Sequence, residues 1–191
     1  MPSDRCRCHV CPRWMSLGLE AIRSSVRGQS RRLAWVPMGH EERIAAAGIE
    51  LPEGHPPVGL YVSSVRVGDL LNVGGHGPIR LDGTRITGKV GGEVDLELAQ
   101  EAARVTGLQM LRSVRTELGS RDQVVRVVKI FGMVNCAPGF NNTPAVIDGC
   151  SKLMHEVFGE AGVHTRSAVG MAELPFDISV EIEGIFQVLP A

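Results

Sequence analysis

The sequence is short of aromatic residues, of long apolar runs and of an excess of either charge. Aromatic side chains make up 4% of the 191 residues, and the formal net charge is −1. No run approaches the roughly 18 consecutive apolar residues that a membrane-spanning helix needs, so we expect a soluble, cytoplasmic protein. Because no basic stripe is interleaved with aromatic residues, nucleic acid is disfavoured as the main partner.

The five cysteines do not form the even-numbered disulfide framework of a small secreted protein. Three of them, Cys6, Cys8 and Cys11, lie in the first eleven residues, beside His9. Their pattern, C-x-C-H-x-x-C, lacks the second ligand pair of a structural zinc site. We therefore predict no metal and assign these thiols to a tail, with a metal site as the weaker alternative.

The first 37 residues differ in charge from the rest of the chain. They contain seven Arg, no Lys and two acidic residues, a net charge of +5, which leaves −6 for the remaining residues. A net-negative body repels phosphate backbones. The segment has no uninterrupted apolar stretch of a secretory signal. A transit peptide is one interpretation, and we favour an extension upstream of a natural start at Met38.

These boundaries predict one globular domain with an appendage. Residues 1 to 40 are expected to be an extension that is disordered or not native, and residues 41 to 54 a short helix and a linker. The domain is expected over residues 55 to 191. A chain of this length can bury one substantial core and has little room for a second.

The first half of the domain predicts a β-hairpin followed by a long helix. Two β-rich stretches, 60 to 67 and 70 to 75, flank the turn Gly68-Asp69. A third, shorter strand is expected between residues 78 and 88, around the turn L-D-G-T. Apolar residues at spacings of three, four and seven predict a helix over 94 to 118, and they are Leu98, Ala102, Val105, Leu108, Leu111 and Leu118.

The second half predicts a buried strand, a helix and two closing strands. The continuous β-branched run 123 to 134 is typical of a buried strand. Thr143 as N-cap and Pro144 at the first position open a helix. The stripe expected to face the core, which makes its cysteine a core thiol, is Ile147, Cys150, Met154 and Phe158. Strands at 165 to 173 and 178 to 188, paired through a turn at L-P-F-D, would place Arg166 opposite Ile185.

The resulting order, βββαβαββ, predicts an α+β fold with two helices on one face of a single sheet. The opposite face of that sheet then needs cover. Association of identical chains is the simplest way to supply it.

Arg166 is the first candidate for chemistry. Strand alternation places it on one face with Ala168 and two further small residues, which leaves room for a planar carboxylate to accept two parallel hydrogen bonds from the guanidinium. The alternative is an Arg paired with a protein carboxylate.

Glu181 and Glu183 share one face of the closing strand, where the alternative is a solvated surface. Because Glu181 would lie on the order of 13 Å from Arg166, a site that uses both would need a neighbouring chain.

The segment T-R-S-A-V-G-M-A-E-L-P-F-D-I-S-V-E-I-E, residues 165 to 183, resembles the C-terminal signature of the RidA/YjgF family, A-R-S-x-V-x-V-x-x-L-P-x-x-x-x-V-E-I-E. Residues 61 to 76, Y-V-S-S-V-R-V-G-D-L-L-N-V-G-G-H, resemble the opening hairpin of that family. The resemblance implies a chorismate-mutase-like homotrimer with clefts between subunits. It also implies deamination of reactive enamines and imines without a metal or an organic cofactor.

The resemblance further implies roles for four residues. Arg166 matches the carboxylate-binding Arg, and Glu181 matches the Glu that positions water. Tyr61 matches the Tyr of the cleft, and Gly75 matches a backbone contact to the substrate.

The sequence departs from the family pattern at three places. Ala168 stands where the deaminases of the family commonly have Cys, and His76 ends a G-G-H triplet where S-G-Q is usual. Both are expected beside the cleft, among the substrate-binding residues. The loop over residues 135 to 143 is longer than usual, so the Asn of the family's cleft has no assigned counterpart.

The function expected from these residues is hydrolysis of 2-aminoacrylate or a related 2-imino acid to a 2-keto acid and ammonia. Arg166 would fix the carboxylate, Glu181 would orient or deprotonate water, and Tyr61 would donate a hydrogen bond as ammonia leaves. His76 would add an acid or a base, with a structural role as the alternative. Two other functions remain open: a non-catalytic trimer that binds small carboxylate metabolites, and a ribonuclease or translation inhibitor, which the acidic body disfavours.

Overall fold

The computed structural model describes residues 38–52 and 59–190, so the predicted extension, with Cys6, Cys8 and Cys11, and most of the predicted linker lie outside the described residues. The described chain forms three α-helices and five strands. In chain order they are α1 (His40–Ala46), β1 (Ser64–Val67), β2 (Leu70–His76), α2 (Leu96–Leu118), β3 (Val124–Asn135), α3 (Thr143–Phe158), β4 (Thr165–Met171) and β5 (Val180–Val188).

The strands form one mixed sheet in the order β1-β2-β5-β3-β4. Four of them are antiparallel neighbours, and β4 pairs with β3 in parallel. Helix α2 packs on β2 and β5, and α3 packs on β3 and β4. The predicted α+β fold, with two helices on one face of a single sheet, is confirmed.

The core lies between that sheet face and the two helices. Every second residue of β5 is buried, and β3 alternates in the same way from Ile130 to Val134, after two register shifts nearer its start. The predicted inward stripe of α3 is confirmed, since Ile147, Cys150, Met154 and Phe158 are all buried. Burial raises the pKa of the Cys150 thiol to about 12, so this thiol is an inert core residue.

The predicted inward stripe of α2 is correct only in part, since Ala102 and Leu111 are buried and the other four predicted residues are not fully buried. Leu98, Val105 and Leu108 are only partly buried. The residues buried along α2 include Ala99, Ala102, Ala103, Thr106, Gly107 and Met110. Small side chains bring α2 close to α3, and the larger apolar residues that dominated the sequence pattern lie at the margin of the contact.

The predicted third strand does not form a continuous ladder. Between residues 78 and 88 the structure has only isolated bridges, which join Ile79 to Arg85 and Thr87 to Ile178. The turn between the first pair is present, because Arg80 N–H donates to Thr84 O at 2.8 Å. This tight reversal leaves too few residues on either side for a regular ladder.

The predicted pairing of the last two strands is also wrong. Strand β3 lies between β4 and β5, so Arg166 is opposite Ile130 of β3 and not opposite Ile185. The connection through L-P-F-D is a short 3₁₀ turn, Pro175–Asp177, that crosses the end of β3. A parallel partner such as β3 lies far from β4 in sequence, so turn chemistry alone could not identify it.

Side-chain contacts near the N-termini of α3 and α1 hold these helices against the rest of the domain. Asn142, not Thr143, is the N-cap residue of α3, and the Thr143 hydroxyl donates to Ala168 O on β4 at 3.0 Å. Helix α1 is held by Glu41, whose carboxylate accepts from the buried Arg121 guanidinium at 2.8 and 3.0 Å. The first contact ties α3 to the edge strand of the sheet, and the second ties α1 to the body of the domain.

Candidate functional site

A cavity of about 460 Å³ lies beside the bulged end of β2, where this strand pairs with β5. Its walls come from β2, β5, the turn after residue 79, α2 and the Pro175–Asp177 turn. The residues that bear on its chemistry are Tyr61, Gly75, His76, Arg85, Phe176 and Glu181. Four of these were predicted from the sequence, so the structure brings Tyr61, Gly75, His76 and Glu181 together at one place.

Glu181 lies directly over Gly75. A Cβ atom at position 75 would overlap Glu181 Oε1, and it would also lie within 3.0 Å of the carboxyl carbon. Position 74 differs, because a Cβ there would meet only Ser63 O at an ordinary 3.7 Å. Gly75 is therefore required for the position of the Glu181 carboxylate in the cavity.

The electrostatic environment of Glu181 makes it a stronger base than an exposed glutamate. Burial raises the pKa of the Glu181 carboxyl, and the negative charge of Glu183 raises it further. The two side chains project from the same face of β5, two residues apart. A carboxylate with a raised pKa is better matched to proton transfer near neutral pH.

His76 has a protein partner at each ring nitrogen. Its Nδ1 lies 2.7 Å from Gly74 O, which can only accept, and its Nε2 lies 2.8 Å from the Ser113 hydroxyl, which then donates. Burial lowers the pKa of His76, and the charge of Arg112 lowers it further. Both ring nitrogens already have partners in the protein, so this geometry favours the structural alternative for His76.

Tyr61 lies at the open side of the cavity, where 60% of the residue is exposed. Among the described residues, no hydrogen bond involves its hydroxyl, so the hydroxyl can donate to a ligand. Gln109 lies deeper and is 5% exposed. Its Nε2 donates to Ile79 O at 2.7 Å and so fixes the segment that leads to the turn at residues 80 to 84.

Arg85 and Phe176 were not predicted from the sequence. The Arg85 guanidinium carbon lies 5.4 Å from the centroid of the Phe176 ring. Phe176 and Asp177 both have positive φ, 58° and 55°, which costs a non-glycine residue on the order of 1–3 kcal/mol. The turns L-D-G-T and L-P-F-D were visible in the sequence, but no spacing rule connects residue 85 to residue 176.

Arg166 lies on edge strand β4, outside the residues that line the cavity. Its Nη1 donates to Asp148 Oδ1 at 2.7 Å and to Ser151 Oγ at 3.0 Å, both on α3. Arg166 is therefore paired with a protein carboxylate, which was the alternative to a free carboxylate-binding Arg. The pairing uses Nη1 alone. Within residues 38–52 and 59–190, Nε and Nη2 make no hydrogen bond, and 23% of the side chain is exposed.

Arg166 and Glu181 do not meet within one chain. Glu181 is opposite Met133, Met133 is opposite Val169, and Arg166 lies three residues from Val169. Two strand spacings and three residues place the two Cα atoms on the order of 14 Å apart. The side chains also project from opposite faces of the sheet, because Arg166 faces α3. Ala168 faces α3 as well, and its carbonyl accepts from Thr143.

Two absences concern the described part of the chain only. No group of three or more His, Cys, Asp or Glu side chains there is placed to hold a metal ion. Likewise, no described helix combines the length and the apolar character needed to cross a membrane.

Comparison with known proteins gives a consistent result. Residues 41–182 match the sequence model of a family described as "YjgF/chorismate mutase-like, putative endoribonuclease". Protein TCP17 of Trypanosoma cruzi is 40% identical over 141 residues, which are 73% of this chain and 88% of that protein.

Two solved structures are similar in both sequence and fold. The protein Atu1372 of Agrobacterium tumefaciens, described as having unknown function, is 38% identical with a TM-score of 0.73, and the match covers 78% of this chain and 92% of that one. A protein of Shewanella oneidensis described as a putative endoribonuclease is 26% identical with a TM-score of 0.75, and the match covers 78% of this chain and 99% of that one.

Proposed function

The chain belongs to the RidA/YjgF family, and from that premise we propose that it hydrolyses reactive 2-imino acids, formed from 2-aminoacrylate or related enamines, to 2-keto acids and ammonia. Water adds to the carbon of the C=N bond, the C–N bond then breaks, and the nitrogen leaves as ammonia. The substrate is already electrophilic, so positioned groups are sufficient and no electrons need to be exchanged.

The contact between Glu181 and Gly75 carries this proposal. The carboxylate is half-buried and has a raised pKa, and a position without a side chain leaves it open to the cavity. Glu181 accepts a hydrogen bond from water, takes its proton as the C–O bond forms, and returns that proton to the nitrogen, which then leaves as ammonia. Tyr61, at the mouth of the same cavity, donates a hydrogen bond to the departing nitrogen.

The carboxylate of the substrate is assigned to Arg166 of a neighbouring copy. Asp148 and Ser151 hold Nη1 and thereby fix the plane of the guanidinium, while Nε and Nη2 form the fork that receives a carboxylate through two parallel hydrogen bonds. On this assignment Asp148 is a positioning residue and not a competitor for the substrate. A second chain is needed because Arg166 and Glu181 are separated within one chain.

The sheet face opposite the helices supports such an assembly. Exposed or half-buried apolar side chains alternate along its strands, and they include Val65, Leu70, Phe131, Met133, Val169 and Ile185. A sheet face on which many apolar side chains lie beside charged ones such as Glu183 is typical of an interface between subunits. We propose a homotrimer in which this face is covered and β4 of one copy approaches the cavity of the next.

The test is the release of keto acid and ammonia from 2-aminoacrylate generated enzymatically in the assay. We expect acceleration over buffer, and a loss on the order of 10²-fold in Glu181→Gln and in Arg166→Ala. Arg104→Ala serves as the control, because Arg104 forms an exposed ion pair with Glu156 between α2 and α3, away from the cavity. The control is expected to retain the wild-type rate.

Two outcomes would overturn the proposal. If keto acid release equals that of buffer while carboxylates bind and Arg166→Ala abolishes that binding, the protein is a metabolite-binding module. If instead the protein cleaves RNA in a salt-dependent way and Arg166→Ala stops it, the ribonuclease function applies.

A further inference from the structure

The cavity contains a cation that the proposed reaction does not use. Arg85 lines the open side of the cavity and is itself exposed, and none of the ion pairs among the described residues includes it. The other charged group that lines the cavity is Glu181, and burial lowers the pKa of His76. A guanidinium without a carboxylate partner, in a concave site, is available to an anion.

The backbone on one side of Arg85 is rigid. The turn before it is closed by hydrogen bonds from Arg80 N to Thr84 O at 2.8 Å and from Gly83 N to Arg80 O at 3.0 Å. The Asp82 carboxylate accepts from the backbone N–H of Thr84 at 2.9 Å and from its hydroxyl at 2.7 Å. Gly83 has a φ of 83°, which a residue with a side chain would adopt only under strain. Arg85 is therefore presented from a fixed position.

The backbone turn that carries the Phe176 ring is also held in place, while the ring itself is 65% exposed. Asp177 follows Phe176, and its carboxylate accepts from Asn135 Nδ2 at 3.0 Å, while its carbonyl accepts from Gly88 N at 2.8 Å. Lys89 Nζ donates to the other end of the same Asn135 amide at 3.0 Å. These contacts hold the turn in its strained backbone conformation, with Phe176 under the guanidinium.

A cation–π contact of this kind restricts the directions from which a ligand can approach the guanidinium, and the N–H edge of Arg85 makes no hydrogen bond among the described residues. A planar carboxylate matches that edge, and one negative charge balances one cation. A phosphate dianion would leave charge uncompensated near Glu181. The geometry thus favours a carboxylate over a phosphate.

We infer that Arg85, oriented by Phe176, binds a second carboxylate, so that the substrates of this protein are imino acids with an acidic side chain, such as those derived from dicarboxylic amino acids. This inference rests on the proposed function for the first carboxylate, which is assigned to Arg166. It makes Arg85 the residue that determines specificity in the cavity.

The test compares two keto acids that differ only at the far end, 2-oxoglutarate and 2-oxopentanoate, in which a methyl group replaces the terminal carboxylate. Isothermal titration of the full-length protein is expected to show about tenfold tighter binding of 2-oxoglutarate, as for one charged hydrogen-bonded pair. In Arg85→Gln the two affinities should become equal, and in Phe176→Ala the ratio should fall to an intermediate value.

The matched control is Arg80→Gln. Arg80 lies on the same turn but pairs with Glu101 at 2.9 Å and does not line the cavity, so the ratio should remain at its wild-type value. Equal affinities in the wild type, or an unchanged ratio in Arg85→Gln, would overturn the inference. Turnover of 2-aminoacrylate is measured separately. If the protein turns over 2-aminoacrylate but binds both keto acids equally, only the inference of a second carboxylate site fails. If it discriminates between the keto acids without turnover, only the proposed deaminase function fails.

Discussion

Glu181 occupies its place in the cavity because residue 75 has no side chain. The carboxylate gains its raised pKa from burial in that position and from the nearby charge of Glu183. A single methyl group at residue 75 is therefore expected to act on the chemistry and not on the fold, since the atoms that it would meet belong to a side chain that can rotate away.

Gly75→Ala should lower kcat/KM for 2-imino acid hydrolysis by at least about tenfold, because displacement of a catalytic group by the order of 1 Å costs that much or more. Gly74→Ala provides the control, since its Cβ would meet only a carbonyl oxygen at contact distance. Steady-state kinetics and thermal melting of both variants make the comparison. Equal activity of the two variants would contradict the assigned role of the contact.

Glu183→Gln should shift the acidic limb of the pH–rate profile to lower pH. The base must be ionised, so activity rises as pH increases through the raised pKa of Glu181, and removal of the neighbouring negative charge lowers that pKa. Glu160→Gln, an exposed acid beyond α3, should leave the limb unchanged. A limb that does not move in Glu183→Gln would show that Glu181 is not the titrating base.

The helices and strands were predicted with unequal success, for physical reasons. Strand β3 and the inward stripe of α3 followed from β-branching and periodicity, which depend on residues close in sequence. The inward face of α2 was predicted only in part, because its buried face also contains small residues such as Ala99 and Gly107, which contribute little to a hydrophobic pattern. The parallel pairing of β4 with β3 was missed because no local signal encodes it.

The candidate site was predicted in part. Tyr61, Gly75 and Glu181 followed from a family resemblance in two segments, and the structure places them around one cavity. Arg85 and Phe176 were not predicted, because they come from two separate turns that only the tertiary structure brings together. Such contacts have no signature in a single sequence.

The α2–α3 contact gives a test of close helix packing. A Cβ at Gly149 would overlap the backbone carbonyl of Gln100, which cannot yield, whereas a Cβ at Gly107 would meet the side-chain ends of Leu153 and Cys150 at 2.9 and 3.2 Å. Gly149→Ala should therefore reduce the free energy of unfolding by roughly 2–4 kcal/mol, measured by chemical denaturation.

Gly107→Ala should cost clearly less, because side-chain ends can move, whereas the gain of about 1 kcal/mol in helix propensity of Ala over Gly applies at both positions. A smaller loss of stability for Gly149→Ala than for Gly107→Ala would show that the two helices are not in backbone contact at residue 149.

In the whole molecule, helices cover one face of the sheet and leave the other face open. The two groups of the proposed site, Arg166 and Glu181, lie on different strands. Arg166 projects from the edge strand β4 towards α3, and Glu181 projects from β5 on the other face. A trimer would have three times the chain mass of 20.5 kDa. Each of its three sites would combine Arg166 from one copy with Glu181 from the next.

The central claim is therefore tested most directly by co-expression of Arg166→Ala with Glu181→Gln under two different tags, followed by purification through both tags and assay of 2-imino acid hydrolysis. Each variant alone should be nearly inactive, and mixed oligomers should recover activity, because every trimer that carries both tags has about one intact site in three. Mixed oligomers that form but remain as inactive as either variant alone would contradict a site shared between copies.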